Sequence, residues 1–301
     1  MGICHGRVAI VTGAGRGIGL GHALELARQG ASVVVNDLGA EIDGTGGSSG
    51  PAGEAVDAIR AMGGQAVANG DDVADWEGAQ RLVQTALDAF GRLDVLVNNA
   101  GFLRDRMIVS TSEEEWDAVI RVHLKGHFAP TRFAAAYWRE QQKMGEPVDG
   151  RVVNTSSGAG LMGSVGQGTY SAAKAGIAAL TLVASAELGR YGVTANAIAP
   201  AARTRMTEAV FAETMAKPDD DAFDAMAPEN VAPLVAWLAS AESRAVTGRV
   251  FEVEGGMVSV ADGWQHGPKV DKGARWDPAE LGPVVLDLLA QAPTSAPVYG
   301  T

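Results

Sequence analysis

The chain has 301 residues, 47% of them hydrophobic and 20% charged, with a formal net charge of −12. This composition builds a sizeable core and excludes the disordered and collagen-like classes. The acidic balance, with no basic cluster, argues against a nucleic-acid partner; the single cysteine, Cys4, excludes an internal disulfide, and no paired cysteine and histidine ligands stand at zinc-like spacing, so no metal is expected. No stretch approaches about 18 consecutive apolar residues, so no membrane partner is expected. The first residues lack a charged region followed by a long apolar one, so a cytoplasmic location is expected.

Residues 7–12 are a short apolar, β-branched run that stops at Gly13, and 17–29 carry Ile18, Leu24 and Leu26 at helical spacing. A strand thus feeds a helix through a glycine-rich turn. Residues 31–36 are nearly all valine, as suits a strand covered on both faces, and end at Asp37. A stretch rich in glycine and serine over 41–50 reads as a surface loop before a helix over 51–62. The alternation continues with a strand at 65–68, a helix at 75–90 and a strand at 93–97. A long helix is expected over 113–143, then a strand at 151–155, a helix at 169–191, a strand at 194–199, a helix at 229–239 and a strand at 249–253.

Strands that alternate with helices pair in parallel, and right-handed crossovers place helices on both faces. The expected fold is α/β: a single Rossmann-type, doubly wound, seven-stranded parallel sheet over 1–256. Residues 257–301 read as a C-terminal extension, helical only near 280–289, and not as an independent domain.

Thr12, Gly13, Ala14, Gly15, Arg16, Gly17, Ile18 and Gly19 stand where the first strand becomes the first helix. Glycines there let backbone amides approach a pyrophosphate at a helix N-terminus. Any tight strand-to-helix turn also favours glycine, so the context matters. Asp37, at the end of the second strand, is placed to accept hydrogen bonds from ribose hydroxyls and to repel a 2′-phosphate, which points to NAD rather than NADP, or it reads as a helix cap. Arg16 reads either as a solvated arginine or as a partner for that phosphate. Asp72 and Val73, after the third strand, fit the adenine amino group, or Asp72 caps the next helix.

Tyr170 and Lys174 stand four apart on an expected helix, so their side chains share a face. An ammonium beside a phenol favours the phenolate, which a general base for an alcohol requires. Ser157 follows the fifth strand at its carboxyl end, the edge where open α/β sheets bind ligands.

These residues, with Asn98, Asn99, Ala100 and Gly101 after the fourth strand, resemble the pattern of the short-chain dehydrogenase/reductase family over about 6–256. A subgroup resemblance is carried by Val35-Asn36-Asp37-Leu38-Gly39, Leu103-Arg104-Asp105-Arg106 and Arg203-Thr204-Arg205-Met206-Thr207. It is to the (3R)-hydroxyacyl-CoA dehydrogenase unit of peroxisomal multifunctional enzymes type 2. The resemblance implies hydride transfer between a substrate carbon and a nicotinamide, with Tyr170 as acid or base, Ser157 orienting the oxygen and Lys174 holding the nicotinamide ribose while acidifying the phenol. It also implies that Asn98 shapes the cofactor floor, that Ala100 and Gly101 border it, and that the segment from Pro200 to Thr204 meets the carboxamide. Many members carry asparagine in the central helix where this chain has His123, which reads either as a member of a proton relay or as a packed structural histidine.

The stretch over about 203–227 reads as a mobile substrate lid or as an ordinary surface loop. Three functions stay open: oxidation of a (3R)-3-hydroxyacyl-CoA with a bulky or steroid-derived acyl group, oxidoreduction of a ring hydroxyl on a steroid or polyketide, and a non-catalytic NAD-binding sensor or scaffold. The expected partner is a small-molecule substrate, and family resemblance implies a homodimer or homotetramer paired through the fourth and fifth helices.

Overall fold

Short runs of valine, isoleucine and alanine make the sheet because both of its faces are covered. In the computed structural model, which describes residues 2–40, 47, 50–204, 207, 215–218, 222–261 and 263–300, eight strands form one sheet. They are β1 (Val8–Thr12), β2 (Ser32–Asn36), β3 (Gln65–Asn69), β4 (Val95–Asn98), β5 (Gly150–Thr155), β6 (Val193–Ala201), β7 (Val250–Glu254) and β8 (Met257–Ala261), in the order β3-β2-β1-β4-β5-β6-β7-β8. The pairs from β3 through β7 are parallel, and β7 pairs with β8 antiparallel.

Alternation along each strand divides the core in two. Ala9, Val11, Val33 and Val35 face α1 (Gly17–Arg28), α2 (Gly50–Ala61) and, further along the sheet, α8 (Ala232–Leu238), with Leu26, Ile59 and Leu238 packed among them. Val8, Ile10, Val34 and Leu96 face the other way, against α3 (Trp76–Phe90), α5 (Gly126–Lys143) and α7 (Gly168–Leu188), through Leu82, Trp138 and Leu188. Each such fully buried aliphatic side chain contributes about 1.5–3 kcal/mol. The doubly wound α/β architecture is the one expected.

The strand count departs from expectation: the sheet has eight strands, not seven, and the eighth is antiparallel. Gly255, at φ +54°, and Gly256 turn the chain straight back from Glu254 to Met257. A glycine pair followed by a half-exposed edge strand, with Val258 and Val260 both more than half exposed, looks in sequence like the end of a domain. The boundary expected at 256 falls inside this hairpin.

The helix expected over 113–143 is also interrupted. α4 (Glu113–Ile120) starts on a capping box between Ser112 and Glu115, then a single π-helical turn, Arg121–Lys125, precedes α5. Such turns carry an extra residue per turn and re-aim the side chains they contain. Here the buried one is His123. Two further α-helices are α6 (Gly158–Met162), too short for sequence periodicity to show, and α9 (Leu281–Gln291). α7 with its following turn is, by length and composition only, long and apolar enough to cross a membrane, but in this fold it packs on β6 and α6.

Strand order reverses between β1 and β4, which run to opposite sides of the sheet. That opens a crevice at their carboxyl ends.

Candidate active site

The crevice is a cleft of about 840 Å³, lined from the loops after β1, β2, β3, β4, β5 and β6 and by the start of α7. Its first half is built on the turn between β1 and α1. Gly13 and Gly17 have φ of +61° and +54°, a region that L side chains rarely adopt. A Cβ on Gly13 would lie 2.8 Å from Ala100 Cα, and one on Gly19 would overlap Gly13 O and stand 2.5 Å from Asn99 Nδ2. Only bare backbone closes this turn. Thr12 Oγ1 accepts from the N–H groups of Asn99 (2.9 Å) and Ala100 (3.0 Å), and Asn99 Nδ2 donates to Thr12 O at 3.0 Å. The glycine turn and the loop after β4 are thereby one rigid unit at the N-terminus of α1.

Asp37 reaches the cleft from the end of β2. Its Oδ2 accepts from Gly15 N at 2.8 Å and its Oδ1 from Gly39 N at 2.7 Å, so one lone pair on each oxygen is used and the rest remain for a ligand. Arg16 and Ile18 border the same half, and Thr204 Cγ2 would lie 3.6 Å from a Cβ on Gly17, which brings the segment after β6 over the turn. Pro200 lines the cleft as well. Bare glycine backbone, a helix N-terminus and a carboxylate at the strand end fit a dinucleotide.

Asp72 and Val73 also line the cleft, but Asp72 is not the helix cap. Asp75 caps α3, accepting from Gly78 N, while Asp72 Oδ1 accepts from Ala74 N at 2.8 Å and its Oδ2 pairs with Arg121 at 2.6 Å. Asn98, expected at the cofactor floor, lies beneath it instead: its Nδ2 donates to Thr131 Oγ1 and Asn154 Oδ1, both at 2.9 Å, and the side chain is fully buried. The wall itself is Asn99, Ala100 and Gly101, because alternation along β4 turns residue 98 away.

The second half of the cleft collects the polar residues expected from the sequence. Ser157 stands at the N-terminus of α6, where its Oγ accepts from Ala159 N at 3.2 Å. Tyr170 and Lys174 project from α7 toward it, and Lys174 Nζ lies 5.5 Å from the centre of the phenol ring. Burial pushes the Tyr170 phenol up to about 12, against a downward pull from its hydrogen bond with Ser157. Burial also brings Lys174 down to about 7. Burial of both groups works against the acidification of the phenol expected from Lys174. Lys174 Nζ donates to Thr155 O at 2.7 Å.

His123 meets Tyr170 edge-on, with ring centres 5.2 Å apart at 89°. It is 1% exposed. Its Nε2 lies 2.6 Å from Phe102 O and 3.1 Å from Phe102 N, so the ring either donates to the carbonyl or accepts from the amide of that residue according to its tautomer. Burial, then the nearby Lys174 charge, lower its pKa to about 3, so the ring is neutral. Its Nδ1 has no hydrogen-bond partner among the described residues. Gly101 makes room for it: a Cβ there would stand 2.9 Å from that Nδ1.

Several residues in or near the cleft carried no signal in the sequence. His127, four residues after His123, is buried outside the cleft lining and bonds backbone groups of His123 and Asn98. Phe102, Gln167, Met257 and Tyr299 line the cleft; they belong to loops, an edge strand and the tail, where no periodic pattern marks them, while Leu103 lines it from a segment that carries the subgroup resemblance. The region expected as a lid, 203–227, lies partly outside the described residues. In its described parts Arg203 pairs with Asp224 and donates to Met215 O at 3.0 Å.

A family model described as short chain dehydrogenase matches residues 7–214. The chain is 48% identical over 298 residues to the hydroxyacyl-CoA dehydrogenase ChsB1 of Mycobacterium tuberculosis, covering 95% of this chain and 89% of that protein. It is 47% identical over 253 residues to the peroxisomal multifunctional enzyme type 2 of Mus musculus, covering 84% of this chain but only 32% of that larger protein. Among solved structures, a short chain dehydrogenase from Mycobacterium avium superposes with a TM-score of 0.90 at 65% identity, with complete coverage of both chains.

Proposed function

The chain belongs to the short-chain dehydrogenase family and is an oxidoreductase acting on CH–OH groups with NAD(H) or NADP(H), and on that premise we propose that it oxidises the 3-hydroxyl of a (3R)-3-hydroxyacyl-CoA using NAD. The observation that carries the reading is the convergence of Ser157, Tyr170 and Lys174 on one cleft with the glycine turn and Asp37. The names of the two relatives support the substrate class.

Gly13, Gly17 and Gly19 would receive the pyrophosphate, with Arg16 and Ile18 beside it. Asp37 would accept from the adenosine ribose, and its charge disfavours a 2′-phosphate, which supports NAD. Asp72 and Val73 would border the adenine; Ala100, Gly101, Pro200 and Thr204 the nicotinamide end. When bound, NAD supplies the carbon that accepts the hydride.

The chain's own groups handle the proton. The Ser157 hydroxyl orients the substrate oxygen; the Tyr170 phenolate takes the alcohol proton during oxidation, becoming the phenol, and the phenol returns it during reduction. Lys174, once protonated, lowers the phenol and holds the nicotinamide ribose. His123 keeps an unbonded Nδ1 beside the Tyr170 ring, which supports a place in the proton path. A His123→Ala variant with unchanged turnover removes it from that path.

Members of this family commonly form oligomers. The half-exposed Leu182 and Val183 on α7 and Phe128 on α5 support pairing of two or four copies through these helices, which light scattering tests. The activity is tested by incubating the protein with NAD and a panel of (3R)-3-hydroxyacyl-CoAs and hydroxysteroids while NADH absorbance is followed. Turnover of the thioesters is expected. Turnover of steroid alcohols alone reassigns the substrate, and tight NAD binding without any turnover indicates a sensor or scaffold.

A further inference from the structure

The last described residues return to the cleft. Val165 N donates to Tyr299 O at 2.9 Å and Tyr299 N to Gly163 O at 3.2 Å, forming a parallel bridge between Ser164 and Tyr299. Side chains reinforce it: a Cβ on Gly163 would lie 3.5 Å from Val298 Cγ1, and one on Gly300 3.4 Å from Val165 Cβ. From the other direction, Arg106 bridges Gln167, whose Nε2 donates to Asp105 Oδ2 at 2.9 Å. The loop that precedes Tyr170 is therefore braced on both sides, by 105–106 and by 298–300.

This pairing turns the Tyr299 ring inward onto Gly158, the residue next to Ser157. A Cβ on Gly158 would stand 2.9 Å from Tyr299 Cε2 and 3.0 Å from its phenol oxygen, so the ring rests on bare backbone. It borders the cleft and is 48% exposed, an aromatic face held by its own backbone bonds and left without a cover. Met257 and Met215 line the cleft with it, and methionine adapts its shape to irregular apolar ligands. A tyrosine presents a large contact area with few rotatable bonds, so little ordering is lost when a ligand packs on it.

We infer that Tyr299 is a specificity-determining residue, the aromatic wall on which the acyl chain beside the reacting carbinol packs, favouring ring-bearing over short acyl groups. This rests on the hydroxyacyl-CoA reading. It assigns a substrate role to a tail residue nearly 130 positions beyond Tyr170.

The test compares kcat/KM for (3R)-3-hydroxybutyryl-CoA and for 3-cyclohexyl-3-hydroxypropanoyl-CoA in the wild type, Tyr299→Ala and Tyr299→Phe, with NAD affinity and thermal midpoint measured on each. Tyr299→Ala is expected to lose roughly tenfold or more on the cyclohexyl substrate, mainly through KM, and less than about twofold on the short one. Tyr299→Phe keeps the ring and is expected to stay near wild type on both. An unchanged ratio in Tyr299→Ala, or a gain on the cyclohexyl substrate, overturns the inference while leaving the hydroxyacyl-CoA reading intact. No wild-type turnover of either thioester overturns both.

Discussion

Lys174 Nζ donates to the main-chain oxygen of Thr155 at 2.7 Å, so α7 is tied to the last residue of β5, two positions before Ser157. One buried amine fixes the spacing between the helix that carries the phenol and the strand end that presents the serine. Lys174→Met removes the amine. It leaves Thr155 O without that donor, a cost of about 1–3 kcal/mol, but also relieves the burial of an amine already driven down to about 7. The two effects oppose each other. The variant is expected to keep a thermal midpoint within a few degrees of wild type while kcat falls by ~10²-fold or more. Calorimetry and NADH absorbance on the same preparation check this; a collapse of stability with turnover retained in the folded fraction contradicts it.

Asp37 governs cofactor choice through charge. Asp37→Asn keeps one acceptor for the loop bonds to Gly15 or Gly39 while removing the negative charge. The ratio of NAD to NADP affinity is expected to fall by roughly tenfold or more, through a gain for NADP and a modest loss for NAD. Titration of the two cofactors by fluorescence reads both arms. An unchanged ratio shows that the carboxylate does not select the cofactor.

His22 is fully buried in α1, and neither ring nitrogen has a hydrogen-bond partner among the described residues. Burial lowers its pKa to about 3, and His123 is lowered likewise. A depressed pKa means that the stability is present above the unfolded value of about 6.5 and is lost as pH falls toward 3. The thermal midpoint is therefore expected to drop steeply between pH 6.5 and 4, and His22→Leu, of similar volume, to lessen that drop. Parallel curves for variant and wild type would place the acid sensitivity elsewhere.

Most of the scaffold was legible because its signals are local and periodic. The valine runs of β1 and β2, the glycines from 13 to 19 and the four-residue spacing of Tyr170 and Lys174 each encode a backbone shape or a shared face within a few residues. The features that escaped depend on long-range context. The π turn at 121–125 has no residue pattern of its own and emerges from packing around His123. Asn98 turned inward because its strand alternation, not its motif, sets its direction. β8, a short apolar run directly after the Gly255-Gly256 turn, and Tyr299, in a tail without periodic pattern, return to the sheet and the cleft through long-range pairing. The four-residue spacing of Tyr170 and Lys174 reports their proximity, while the burial that pushes the phenol up and the amine down is set by the fold.

The most direct measurement is NADH formation by Tyr170→Phe with a (3R)-3-hydroxyacyl-CoA at saturating NAD, alongside NAD affinity in the same variant. Loss of only the phenol oxygen leaves the ring packed against His123. Turnover is predicted to fall by ~10²–10⁴-fold with NAD affinity within about twofold of wild type. Turnover within threefold of wild type would show that the proton leaves the alcohol by another route.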